Sequence, residues 1–189
     1  MKSILATLIL TISIACPSTR AQEKPPADHP AAKVVAQFLP SALNRDWTKA
    51  SNYVEPSSLA KLQRDWIAET KRAATIDQEN TLIRSIGKQN LDEIAKMPAS
   101  EFYAAYQISL QRRYNVDPER LKVIADSLEL TFLSIALETD RLCHVLVRTR
   151  HQDGTNNVSR LELISAVNTS GKWKVSLDEQ RPVVTPIKK

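Results

Sequence analysis

LCHVLVRTRHQDGTNNVSRLELISAVNTSGKWKVSL, residues 142–177, is the stretch that decides the fold. From Leu142 to Arg150 the chain alternates, with Cys143, Val145 and Val147 on one face and His144, Arg148 and Arg150 on the other. A period of two with one apolar face is the pattern of a half-covered strand. Gln152 to Asn157 is rich in turn formers and reads as a hairpin loop. In the next strand Leu161, Leu163 and Val167 are expected on the covered face, with Arg160 and Glu162 on the other. Asn168-Thr169-Ser170-Gly171 is a second turn. The last strand is expected to turn Trp173, Val175 and Leu177 inward and Lys172, Lys174 and Ser176 outward.

Working back, Leu128 to Leu137 is a fourth strand whose apolar phase changes between Phe132 and Leu133, which predicts a β-bulge. Four alternating strands joined by three short connections predict an antiparallel meander with one face covered. Upstream the period is helical. Val34, Val35, Phe38 and Leu39 form a stripe that Pro40 is expected to end or kink, with Leu43 and Trp47 beyond it. Leu59, Leu62, Trp66, Ala73, Ile76 and Ile83 are spaced for one face of a long helix, capped by Ser57 or Ser58 and stopped at Gly87. Asn90, Ser100 and Asp117-Pro118 mark three further helix starts. Between the early helices no strand pattern is visible. Helices followed by strands make an α+β domain: N-terminal helices packed on one face of a curved four-stranded antiparallel meander.

The ends and the composition bound what the domain can be. Lys2, the uncharged run from Ile4 to Ala15, and the small residues at Thr19 and Ala21 form a secretory signal over 1–21. As a helix that run would span roughly 18 Å, short of a hydrocarbon core of about 30 Å, so no stable membrane span is expected. Ser13-Ile14-Ala15-Cys16 offers the alternative of a lipoprotein anchored at Cys16. Residues 22–30 read as a proline-rich linker, 31–178 as the domain and 179–189 as a flexible tail. The protein is thus expected to be exported, to the periplasm or the extracellular space. Cleavage removes Lys2 and Arg20 and no acid, taking the formal charge from +5 to +3. The remaining basic residues are scattered among acids rather than clustered, so nucleic acid is not an expected partner. Cys143 is then the one cysteine left, and an inert buried thiol is its natural reading.

Helices first, a curved four-strand meander last, and Gly171-Lys172-Trp173-Lys174-Val175 opening the final strand together resemble the nuclear transport factor 2-like, or cystatin-like cone, superfamily. The resemblance covers roughly 31–177. Leu91-Asp92-Glu93-Ile94 through Phe102, and Leu142 through Arg148, are similar to stretches in small exported bacterial proteins of unknown function. What the resemblance implies is a cone between helices and sheet that often holds a small ligand. In a minority of the superfamily an Asp, His or Tyr in that cavity carries isomerase or dehydratase chemistry. On that implication Tyr53, Tyr103, Tyr106, His144 and Arg148 are the polar residues expected to reach the space.

The residues themselves carry no catalytic constellation. His29, His144 and His151 lack metal-ligand spacing with each other or with Cys143, and three glycines are too few for a phosphate-cradling loop. No metal or cofactor is therefore expected. The leading expectation is a non-enzymatic module that binds a small molecule or a partner protein through its cone or its open sheet face. Two alternatives stand beside it: a cone-cavity lyase or isomerase working through His144 or a tyrosine, and a structural module forming a homodimer through the sheet face.

Overall fold

The computed structural model describes residues 26–115 and 117–177. The signal over 1–21, Cys16, the start of the linker and the tail from 179 lie outside the described residues. The linker's described end is ordered around the domain: Pro26–Asp28 forms a 3-10 turn, and His29 caps the first helix through its Nδ1, which accepts from the Ala31 N–H at 3.2 Å.

Helix α1, Pro30–Leu43, buries Ala31, Ala32, Val35, Phe38 and Leu39 along one stripe and runs through Pro40 rather than ending there. Proline removes one N–H from the ladder, but the next turn closes, the Asn44 N–H reaching the Pro40 carbonyl at 2.9 Å. Burial of residues on both sides of Pro40 outweighs one lost bond. Helix α2, Trp47–Ser51, is capped by Asp46. Between it and the next helix, Val54 makes a one-residue parallel bridge to Val175, a pairing invisible in the alternation pattern.

The long helix expected over Leu59 to Ile83 is two. Helix α3 covers Pro56–Thr70 and α4 covers Ile76–Ser85. The Thr75 side chain accepts from the Gln78 N–H and starts a new helix, which leaves Ile76 at 76% exposure instead of on a continuous stripe. Glu55, not Ser57 or Ser58, caps α3, with Pro56 in its first turn. Helix α5, Leu91–Lys96, has the expected Asn90 cap, and α7, Pro118–Asp126, the expected Asp117 cap. Helix α6, Ala99–Arg113, starts before Ser100, behind Pro98, without a side-chain cap.

Strands β1 (Glu129–Thr139), β2 (Leu142–Asp153), β3 (Asn156–Thr169) and β4 (Lys172–Val175) pair antiparallel in the order β1-β2-β3-β4. The architecture is the expected α+β meander, and the register shift falls between Phe132 and Ser134, where the phase change predicted a bulge. One expectation for β3 is overturned. Val145 faces Ile164 and Cys143 faces Ala166, so the covered face of β3 carries Ile164 and Ala166. Leu161 and Leu163 stand on the opposite face at 60% and 61% exposure, and Arg160 and Glu162 turn toward the helices. The cause is the hairpin: only Gly154 and Thr155 lie in the turn, which pairs Asp153 with Asn156 and fixes every later pair. Ser176, expected outward, is buried, its N–H on the Ser165 carbonyl.

The core has two parts. One joins α1, Val54, Leu59 and Tyr103 to Val145, Val147, Ile164 and Val175 of the sheet. The other gathers Ile83, Ile86, Ile94, Met97 and Phe102 among α3 to α6. Gln63 ties the helical layer together, its buried amide donating to the Ile94 and Met97 carbonyls at 2.6 and 3.1 Å. Among the described residues no helix is long and apolar enough to cross a membrane.

Candidate functional site

The covered face of the β2–β3 hairpin is apolar near Val145 and turns polar toward its tip. Glu162 stands opposite Val147, and beyond that pair the inward positions are Thr149, His151 and Asp153 on β2, and Arg160, Val158 and Asn156 on β3. Helix α1 covers the apolar half. Over the polar half the chain lays α7, which packs on β2 and is clasped there by an ion pair. Arg120 donates from Nε to Asp153 Oδ1 at 2.5 Å and from its terminal nitrogen to Oδ2 at 2.6 Å, a bidentate fork. That hydrogen bonding holds the Asp153 carboxyl below, and the Arg120 guanidinium above, their ordinary ranges.

A hollow of about 550 Å³ lies between α1, α2, α7 and the inward face of the hairpin. One wall is apolar: Leu39 and Leu43 of α1, Trp47 of α2, and Leu121 and Ile124 of α7. The facing wall is polar, built from Thr149, His151, Glu162, Arg160, Asp117 and the Arg120–Asp153 clasp. Thr149 is buried and donates its hydroxyl to Glu162 Oε1 at 3.2 Å. Arg160 makes no hydrogen bond or direct ion pair among the described residues, although its charge helps depress Asp153. The indole N–H of Trp47 is shielded from solvent and meets no acceptor there. An unpaired buried donor costs about 1–3 kcal/mol, and Trp47 lines this hollow with its opposed polar and apolar walls. A larger hollow of about 760 Å³ is lined mainly by polar residues such as Ser57, Asp140, Asn168 and Ser170, with Leu142 and Val167 as its large apolar members.

None of the five residues expected in the cone lines this hollow. His144 and Arg148 project from the outer face of the sheet, away from the helices. There His144 is held by Ser165 Oγ at 3.0 Å on Nδ1 and by Glu138 Oε2 at 2.7 Å on Nε2. Tyr103 is core, edge-on to Trp47 at 6.1 Å, and burial pushes its hydroxyl up to about 12. Tyr106 stacks on Phe102 at 5.9 Å in the second core cluster. Tyr53 packs against the first cluster, and its carbonyl accepts the Val175 N–H. Cys143 is buried in the sheet, its thiol pushed up to about 11 by desolvation.

The apolar wall uses residues already legible as helix stripes, whereas Arg160 and Glu162 are expected on the uncovered face and turn inward because β3 has the opposite phase. The signal that could have found them is Asp153-Gly154-Thr155-Asn156. A two-residue turn centred there sets Thr149 opposite Arg160 and Val147 opposite Glu162, which turns both charged residues inward once Val147 is known to be core. No protein-family model, curated protein or solved structure matches this chain.

Proposed function

We propose that the protein is an exported, non-enzymatic binding module that takes a small molecule into the hollow between α7 and the inward face of the β2–β3 hairpin. The observation that carries the reading is the pairing of walls: Leu43, Trp47, Leu121 and Ile124 on one side, Thr149, Glu162 and Arg160 on the other, around about 550 Å³. Small-molecule sites combine a mostly apolar lining with a few placed polar groups. The helix-covered meander also supports the resemblance to nuclear transport factor 2-like cones, whose ligands enter between helices and sheet. A cavity enzyme working through His144 has no support, since that ring lies on the other side of the sheet, engaged by Glu138 and Ser165.

Thermal melting against a panel of small apolar acids, alcohols and amines tests this. A ligand at a hundred times its Kd adds about 2.7 kcal/mol, which for a domain of this size raises Tm by about 5–10 °C. Leu121→Trp places an indole in the hollow and is expected to abolish the shift while the protein still melts cooperatively. A panel with no shift, or shifts that survive Leu121→Trp, would defeat the proposal.

A further inference from the structure

The hollow does not end at Trp47. A second one of about 300 Å³ adjoins it, running outward between α2 and α6 past Leu110 and Gln107. The two share Ala42, Leu43, Trp47, Tyr114 and Leu121 as lining, so they form one trough that is polar at the hairpin and apolar at the helices. From Gln107 to Tyr114 the helical rise gives the apolar arm a length of about 10 Å.

The charges at the polar end limit what the head of an occupant can be. Asp153 is paired with the Arg120 fork, Glu162 accepts from Thr149, Asp117 caps α7 by accepting the Glu119 N–H, and His151 lines the same wall. Arg160 is the cation on that wall without a hydrogen-bonded or directly paired partner among the described residues. A single guanidinium matches a single carboxylate through two parallel hydrogen bonds. A dianionic head such as a phosphate monoester would instead meet the Glu162 and Asp117 carboxylates with Arg160 as the one arginine, among the described residues of the wall, outside the Arg120–Asp153 pair. Resting on the binding function above, we infer that the ligand is an amphipathic carboxylate of medium chain length, its carboxylate on Arg160 and its hydrocarbon chain along Trp47 toward Leu110.

Trp47 lines both arms of the trough, so its emission reports occupancy. Octanoate, decanoate, decanol and decylamine, each below its micellar concentration, are titrated into the wild-type protein, with Trp47→Phe as the control for the signal. The expected result is a saturable emission change with decanoate, absent in Trp47→Phe. Arg160→Gln is expected to weaken decanoate binding tenfold or more and leave decanol binding unchanged, and Glu162→Gln to strengthen decanoate binding. Arg160 is exposed, so its substitution is expected to leave Tm unaltered. If decanol binds as tightly as decanoate, if decylamine binds more tightly, or if Arg160→Gln leaves decanoate affinity unchanged, the carboxylate assignment falls while the binding site stands. If none of the four probes binds, the inference falls. The melting panel then decides separately whether the hollow takes a ligand of other chemistry.

Discussion

Truncating two neighbours on β3 separates the observed register from its one-residue alternative. Ile164 is 4% exposed and packs into the α1–sheet core, whereas Leu163 is 61% exposed on the outer face. Ile164→Ala removes buried methyl groups and leaves a void opposite Val145 in the α1–sheet core, at a cost of about 2–5 kcal/mol. Leu163 has only about two fifths of its surface covered. Full burial of a leucine is worth about 1.5–3 kcal/mol, so Leu163→Ala is expected to cost about 1 kcal/mol or less. In melting terms these are drops of about 4–20 °C against about 2–4 °C. Urea unfolding followed by far-ultraviolet circular dichroism gives both values, provided the slope m stays constant between variants. Equal costs, or a larger cost at Leu163, would mean that β3 turns its other face to the helices. Arg160 and Glu162 would then point to solvent, and the hollow would lose its polar wall.

Phe102 is fully buried, edge-on to Trp66 at 5.5 Å and stacked on Tyr106, so Phe102→Ala is expected to cost about 3–5 kcal/mol in urea unfolding; a cost below about 1 kcal/mol would show that the second core cluster is not formed. Cys143 and Tyr103 keep their protons up to about 11 and about 12, above the ordinary 9.0 and 10.0. The unfolded chain releases those protons first, so this contribution is complete below about pH 9 and is lost as pH rises toward 12. Urea midpoints measured at about pH 8 and about pH 10.5 are expected to fall, and Tyr103→Phe is expected to flatten the alkaline limb; a midpoint independent of pH would refute it.

Much of this architecture is legible in the residues because it rests on local patterns. Asn90 and Asp117 cap the helices they were expected to cap, and the phase slip after Phe132 is the bulge. Local pattern fails where two signals compete. Leu161 and Leu163 offer one apolar phase and Ile164 and Ala166 the other, and the choice is made by a tight turn ten residues away from Ile164. The break before Ile76 has the same character: a threonine cap overrides a helical stripe that no glycine or proline interrupts. The candidate site depends on the β3 phase, so the hollow's polar wall was hidden along with it. Aromatic and histidine chemistry drew attention to Tyr103, Tyr106 and His144, residues that the structure spends on packing and on an outer-face hydrogen-bond chain.

The central claim is that a small molecule enters between α7 and the inward face of the hairpin. Methyl-labelled protein, titrated with decanoate and observed by nuclear magnetic resonance, tests it most directly, because leucine and isoleucine methyls mark both faces of the sheet. Shifts are expected at Leu43, Leu121 and Ile124, with Leu161 and Leu163 unmoved. Shifts confined to Leu161 and Leu163 would place binding on the outer face and contradict it.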